Sequence, residues 1–216
     1  MILVPIKKLS GAKQRLASVL SPEQRAELAR AMFKDVCAAL SEVPECPTVA
    51  VVTNDASATR LARQCGFEII RDEENLGESE AIALATLEAE KRGAEFTLVL
   101  PADIPLVTAD EIAMVLAAAP EQGTVLVRAG DGRGTNAILR RPANLFPCKF
   151  GNDSFLPHRA AAHTTGLPVV VLDGVAGIGL DIDRPDDLEA LLAVPIETRT
   201  QRLLREWKVG RGTAAG

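Results

Sequence analysis

Two patterns alternate along the chain: short apolar runs bounded by glycine, proline or polar residues, and longer stretches with apolar positions at helical spacing. Residues 2–6 read as a strand, and residues 48–53, 67–70 and 96–100 repeat that character. Residues 125–128, 137–139 and 169–172 read as further strands. Ser21-Pro22-Glu23-Gln24 combines a cap, a first-turn proline and a glutamine three residues after the cap, which predicts a helix running to about Leu40. A short helix is predicted over residues 57–64, stopped by Gly66, and a longer one over residues 78–91, stopped by Gly93. Thr108-Ala-Asp-Glu111 opens a helix to about Ala118. Residues 185–192 form another, and residues 198–208 a last one carrying Trp207.

Strand–helix alternation predicts an α/β protein with a mainly parallel central sheet and helices on both faces. In such sheets ligands bind beyond the carboxyl ends of the strands. The loop after the first strand, residues 7–15, opens at that edge, and so does Asp103 in Val99-Leu-Pro-Ala-Asp103-Ile-Pro105.

Hydrophobic residues make up 47% of the 216 positions, ample for one core. Residues 1–195 are expected to form one domain, followed by a C-terminal helix and tail over 196–216 whose end, 210–216, is expected to be disordered. Net charge is 24 − 29 = −5 with no basic face, so nucleic acid is not an expected partner. The first apolar run is too short for a signal-peptide core or a membrane span, so no membrane role is expected. Four scattered cysteines without a C-x-x-C pair fit a reduced, cytoplasmic setting. Trp207 on the last helix leaves packing on a second copy, a homodimer, as an open reading.

Three aspartates carry the strongest chemical signal. Asp103 follows one apolar run, and Asp181 and Asp183 in Gly179-Leu-Asp-Ile-Asp-Arg-Pro185 follow or interrupt another that reads as a strand. Buried carboxylates need compensation by a cation or hydrogen bonds. Extended residues at i and i+2 point to one side, about 6.5 Å apart, which suits one divalent metal site of hard oxygen ligands such as Mg2+. Plainer readings exist: Asp103 as a turn residue before Pro105, and Asp183 as a helix cap before Pro185.

Three further stretches carry polar chemistry. Lys7-Lys-Leu-Ser-Gly11-Ala-Lys13-Gln-Arg15 offers cations, a glycine and backbone N–H groups suited to phosphates. Arg128-Ala-Gly-Asp-Gly-Arg-Gly-Thr135-Asn136 reads either as a hairpin tipped by Asp131-Gly132 or as a flexible loop presenting Thr135 to an anion. Phe150-Gly151-Asn-Asp-Ser154 looks like a helix start, capped by Asn152, Asp153 or Ser154 or holding an anion, with His158 one turn on as a phosphate donor or a packed residue.

Taken together, Pro5-x-Lys7-x-Leu9-x-x-Ala12-Lys13-x-Arg15-Leu16, Met32-x-x-Asp35, Pro101-Ala-Asp-Ile-Pro105, Gly134-Thr135, Phe150-Gly-x-x-Ser154 and Asp181-Ile-Asp183-x-Pro185 resemble the 2-phospholactate guanylyltransferase family of coenzyme F(420) biosynthesis. The resemblance spans residues 1 to about 194. It implies a Rossmann-like nucleotidyltransferase fold of GT-A type. It also implies a reaction of GTP with a small phosphorylated carboxylate: 2-phospho-L-lactate, phosphoenolpyruvate or 3-phospho-D-glycerate. Asp103, Asp181 and Asp183 would hold Mg2+. Thr135, Gly151 and Ser154 would grip the acceptor. Lys13 and Arg15 would hold the GTP phosphates and, with Asp103, carry catalysis, while Lys7, Gly11 and Ser79 would complete the nucleotide contacts.

One departure stands out. Relatives often carry a Leu-Asn pair where this chain has Gly77-Glu78-Ser79-Glu80-Ala81, so Ser79 would replace the amide at the nucleotide and Glu80 would need to point away. Another acceptor, a sugar phosphate or molybdopterin, stays open, although the first loop lacks the Gly-Gly-x-Ser-x-Arg pattern expected for a pterin. A non-catalytic nucleotide-binding protein on the same fold also stays open, and the three aspartates argue against it.

Overall fold

The apolar runs become strands β1 (Ile2–Pro5), β2 (Val49–Val52), β3 (Glu68–Ile70), β4 (Thr97–Val99), β5 (Gly123–Arg128), β6 (Thr135–Arg141) and β7 (Val169–Leu172) in a computed structural model that describes residues 1–74, 76–151 and 153–209. The helices are α1 (Pro22–Ser41), α2 (Ala56–Gln64), α3 (Glu78–Lys91), α4 (Ala109–Ala117), α5 (Phe155–Thr164), α6 (Ala176–Gly179), α7 (Pro185–Ala193) and α8 (Arg199–Glu206). Both capping boxes read from the sequence form, at Ser21–Gln24 and at Thr108–Glu111.

The strands make one sheet in the order β3-β2-β1-β4-β6-β5-β7. β1 pairs in parallel with β2 and β4, β2 with β3, and β5 with β7. β6 runs antiparallel to both β4 and β5, so the sheet is mainly parallel with one reversed strand. Side chains alternate across it. Ile2 and Val4 join a cluster with Met32, Phe33 and Val36 of α1, Ile112 of α4 and Leu188 of α7. Leu3, Val99 and Ile138 face the other way, onto Ile82 and Ala85 of α3 and Phe155 of α5. Each fully buried Val, Leu, Ile, Met or Phe side chain among them contributes about 1.5–3 kcal/mol relative to exposure.

β5 and β6 are longer than the apolar pattern predicts, and buried polar side chains within them find hydrogen-bond partners. Thr124 Oγ1 donates to the Leu139 carbonyl. Arg140, buried, donates to Phe146 O at 2.6 Å, Thr86 Oγ1 at 2.7 Å and Thr97 Oγ1 at 3.0 Å. The residues between the two strands form the hairpin connection suggested by Asp131-Gly132. Gly132 adopts φ 74°, and the Asp131 carboxylate accepts the N–H groups of Arg133 and Gly134.

The run before Asp181 is not a strand but the single turn α6. Backbone crowding explains the difference. A Cβ on Gly177 would lie 2.4 Å from Leu106 O, and the Gly177 N–H donates to Glu111 Oε1 at 2.7 Å, so at Gly177 this turn meets α4 and the segment before it while its other side lies against β5 and β6. Residues 180–183 then continue without helix or strand.

Helix α8 lies against α1, and Trp207 packs partly buried on the chain's own main cluster. The expected disorder at 210–216 falls outside the described residues. Among the described residues no helix is long and apolar enough to cross a membrane.

Candidate active site

Because β1 and β4 are parallel neighbours, the loop after β1 and the segment after β4 emerge at the same carboxyl edge. The third piece, residues 180–183, docks there through the backbone: Ile182 N–H donates to Asp103 O at 3.0 Å. The loop after β1 is two short 3₁₀ turns, Leu9–Gly11 and Gln14–Leu16, anchored where Leu9 N–H donates to Asp55 Oδ2 at 3.1 Å. Lys13 joins the turns in the left-handed conformation, φ 55° and ψ 46°. That conformation costs a non-glycine residue about 1–2 kcal/mol, and such strain gathers at functional sites.

The strained backbone delivers the Lys13 ammonium between two carboxylates, 2.5 Å from Asp103 Oδ2 and 2.7 Å from Asp183 Oδ1. The side chain is only 7% exposed. Burial opposes its charge, but Asp103 and Asp183 outweigh burial and raise the Lys13 pKa above the ordinary lysine value. Arg15 Nη1 reaches Asp183 Oδ2 at 3.2 Å. Burial alone would raise the Asp183 pKa; Lys13, with Arg15 and Arg184, brings it below the usual carboxylate value.

Asp183 is not the helix cap. The Asp187 carboxylate accepts the N–H groups of Asp183 at 2.8 Å and Arg184 at 2.6 Å, which leaves the Asp183 carboxylate for the cations. Asp181 is held differently: Asn136 Nδ2 donates to its Oδ1 at 3.0 Å and to Ile178 O at 2.9 Å. Burial raises the Asp181 pKa, against the Asn136 hydrogen bond, and the charges of Asp103 and Asp183 raise it further. Glu78, at the start of α3, faces the same centre. Burial, then repulsion from Asp103, pushes its carboxyl up to about 7 against the pull of Lys7 and Lys13.

On the other side of the cleft, Ser154 immediately precedes α5. Its hydroxyl makes no cap; it accepts Thr135 N–H at 3.1 Å. Gly151 adopts φ 142°, a region that favours glycine. Asn152, named as one candidate cap, lies outside the described residues. His158 is the packed residue of the two sequence readings: it is 1% exposed, with Nε2 2.8 Å from Lys149 N and Nδ1 3.0 Å from Thr135 Oγ1. Burial and the Arg140 charge lower its pKa to about 4 from 6.5. A group neutral in the fold and protonated in the unfolded chain costs stability as pH falls from about 6.5 towards 4. His158→Phe is therefore expected to flatten the acid limb of thermal stability, by on the order of 3 kcal/mol at pH 4. Melting curves between pH 7 and pH 4 test this, and parallel acid limbs in the two proteins would refute it.

Two hollows meet at the lysine–carboxylate centre and share Lys7, Lys13, Glu78, Asp103 and Asp183. The smaller, about 380 Å³, also takes in Gly11 and Gly77. The larger, about 880 Å³, takes in Arg15, Thr135, Gly151, Ser154 and Asp181. The structure thus gathers all the sequence-predicted site residues except Ser79, whose hydroxyl accepts Phe150 N–H at 3.0 Å and so braces the loop before Gly151. Glu78 occupies the cleft wall instead, and Glu80 folds back over Gly77, within 2.4 Å of where a Cβ there would stand. A further hollow beside α2, lined by Thr53, Arg60, Arg63 and Arg71, contains none of these residues.

Sequence reasoning did not single out Glu78, Asn136 or Asp187. Asn136 was visible only as the neighbour of Thr135. Asp187 carried a usable signal, an acid three residues after the residue that precedes Pro185. Glu78 carried none, because the face it presents depends on how α3 begins.

The acidic cluster suits a hard cation. Asp103 and Asp183 already converge on one positive charge, and burial with like-charge neighbours disfavours the ionised form of Asp181. Among the described residues no three His, Cys, Asp or Glu groups close around a metal position by themselves. Mg2+ commonly completes its sphere with water and substrate phosphate oxygens.

The sheet order, the strand-edge carboxylates and the basic loop define a nucleotidyltransferase-type α/β fold. A crystal structure described as a nucleotide-diphospho-sugar transferase from Desulfovibrio desulfuricans superposes with a TM-score of 0.78 at 19% identity, covering 96% of this chain and 94% of that one. A family model described as "Guanylyl transferase CofC like" matches residues 1–211, and the chain belongs to that family. A phosphoenolpyruvate guanylyltransferase of Sphaerobacter thermophilus is 38% identical over 88% of this chain and 90% of its own length. A 2-phospho-L-lactate guanylyltransferase of Methanobrevibacter smithii is 27% identical over 96% and 90%.

Proposed function

We propose that this chain transfers GMP from GTP to the phosphate of a small phosphorylated carboxylate, releasing pyrophosphate, as a step in coenzyme F(420) biosynthesis. The observation that carries the reading is the Lys13 ammonium locked between Asp103 and Asp183 where the two hollows meet. One hollow would take the nucleotide, beside Lys7 and Gly11. The other would take the acceptor, beside Thr135, Gly151 and Ser154. The names of the relatives make phosphoenolpyruvate the first acceptor to test, followed by 2-phospho-L-lactate and 3-phospho-D-glycerate.

An acceptor phosphate oxygen attacks the α-phosphorus of GTP in line. The new P–O bond forms as the bond to the β-phosphate oxygen breaks, and its electron pair leaves on pyrophosphate. A phosphate monoester is largely ionised at pH 7, so the nucleophile needs no general base. Lys13 and Arg15 neutralise charge on the phosphates, and the loops hold the two substrates in line. Asp103, Asp181 and Asp183 would hold Mg2+, which when bound supplies further charge neutralisation at phosphate oxygens. The partners are small molecules, and the four free cysteines support placing the reaction in the cytoplasm.

Incubation with GTP, Mg2+ and each acceptor, with products identified by mass, tests the reading. The expected products are a guanylyl diester of one acid and pyrophosphate. GTP binding with no pyrophosphate released on any acceptor would sink it. Asp183→Asn removes one charge from the centre and is expected to lower kcat at least about a hundredfold. A folded Asp183→Asn protein with parental turnover in Mg2+ would show that the metal assignment is wrong.

A further inference from the structure

The buried imidazole of His158 stands behind the acceptor hollow, outside the lysine–carboxylate centre. Its two ring nitrogens meet different partners. A backbone N–H can only donate, so Lys149 N–H, 2.8 Å from Nε2, requires a lone pair there. The ring proton of the neutral imidazole is then on Nδ1, 3.0 Å from Thr135 Oγ1, and Nδ1–H donates to that oxygen. The Thr135 hydroxyl accepts from the ring, and its own proton is left for another acceptor. Ser154 repeats the logic, since its Oγ accepts Thr135 N–H at 3.1 Å and keeps its proton available. Both residues line the hollow. Each hydroxyl oxygen already accepts one hydrogen bond and keeps its own proton to donate, which suits an oxyanion.

His158 also fixes the loop that carries Gly151. Lys149 is bound through its N–H, and the Phe150 ring stands edge-on to the imidazole, with centroids 5.0 Å apart. Phe150 N–H is in turn held by Ser79. Burial and Arg140 keep the imidazole uncharged over the neutral range, so Nε2 stays free to accept.

We propose that His158 is a positioning residue for the acceptor: as the Nδ1–H tautomer it turns the Thr135 hydroxyl into a donor for the acceptor's carboxylate or phosphate and holds the loop before Gly151. This rests on the reading that Thr135, Gly151 and Ser154 bind the acceptor.

Nitrogen NMR of the parent protein tests the tautomer without any substitution. The expected spectrum shows Nδ1 protonated and Nε2 bare at pH 7, and an Nε2–H tautomer overturns the proposal. Kinetics test the role. His158→Phe keeps the ring volume and loses both hydrogen bonds, and is expected to raise the acceptor KM at least about tenfold while the GTP KM stays within about twofold. His158→Asn, which can place an N–H near the Nδ1 position, is expected to recover most of that loss. Adding Thr135→Val to His158→Phe is expected to cost clearly less than the sum of the two single losses, because the Nδ1–Thr135 interaction is removed by both while the Nε2–Lys149 one is removed by His158→Phe alone. Equal rises in both KM values, or full additivity, would mean that His158 serves the fold alone. If Thr135→Val leaves the acceptor KM unchanged, the placement of the acceptor is wrong, and this inference falls with it. If Thr135→Val raises that KM and His158→Phe does not, only the role given to His158 is wrong.

Discussion

Lys13→Met is expected to lower turnover by about three orders of magnitude while the protein stays folded. Loss of one preorganised electrostatic group typically costs 10²–10³ in rate. Here the upper end is expected, because the same ammonium serves three ends. It holds Asp103 and Asp183 at 2.5 and 2.7 Å, it offsets the charge of nearby Glu78, and it faces the hollow assigned to the GTP phosphates. Without it, Asp103, Asp181, Asp183 and Glu78 share one cleft wall, and the cations left beside them, Lys7, Arg15 and Arg184 among them, do not sit between Asp103 and Asp183 as the Lys13 ammonium does. Methionine keeps most of the apolar stem, so packing between the two 3₁₀ turns survives. Lys13→Arg is expected to restore little, since a planar guanidinium does not fit where a compact ammonium sits between two carboxylate oxygens. Pyrophosphate release under saturating substrates, alongside circular dichroism, measures both halves. Turnover of Lys13→Met within threefold of the parent would remove Lys13 from the mechanism.

The strands and long helices are legible in the sequence because each is an apolar pattern closed by a cap, a glycine or a proline. Gly66 and Gly93 end α2 and α3 at φ 75°, where an L side chain is disfavoured. Two kinds of feature are not legible. The first is an apolar stretch whose fate is decided by a neighbour: Ala176–Gly179 forms a helical turn because Gly177 lets the backbone approach Leu106 and Glu111. The second is the choice between two acids that can do the same local task. Asp183 and Asp187 both suit capping α7, and only the arrival of Lys13 and Arg15 from the loop after β1 assigns Asp183 to the cleft. The parts of the site are therefore written in the chain, while their convergence depends on β1 and β4 being neighbours in the sheet. Ser79 shows the limit from the other side. A hydroxyl beside the expected nucleotide position proves to brace Phe150, and the side chain one residue earlier, Glu78, meets the cleft.

Asp35→Ala is expected to destabilise the protein by about 3 kcal/mol while leaving kcat close to the parental value at temperatures where the variant is folded. Asp35, in the Met32-x-x-Asp35 pattern on which the family resemblance rests in part, stands away from the cleft, on α1. It is 8% exposed, and its carboxylate accepts Arg199 N–H at 3.0 Å, Thr200 N–H at 2.9 Å and Thr200 Oγ1–H at 2.6 Å. These are donors at the first turn of α8, so an acid from α1 does the work of a cap across more than 160 residues of chain. Truncation leaves the buried Thr200 donors unpaired, which costs more than the loss of a solvated hydrogen bond. Gln201 limits the damage, because its side chain still ties α8 to Leu191 O at 2.8 Å and Val194 O at 3.0 Å. A loss of this size lowers the melting temperature by about 6–12 °C in a protein of this length. Asp35→Asn, which keeps an acceptor oxygen and loses the charge, is expected to fall about midway. Thermal unfolding of both variants beside the parent measures the series. A shift below about 2 °C for Asp35→Ala would mean that the capping box of Thr198 and Gln201 holds α8 without help from α1.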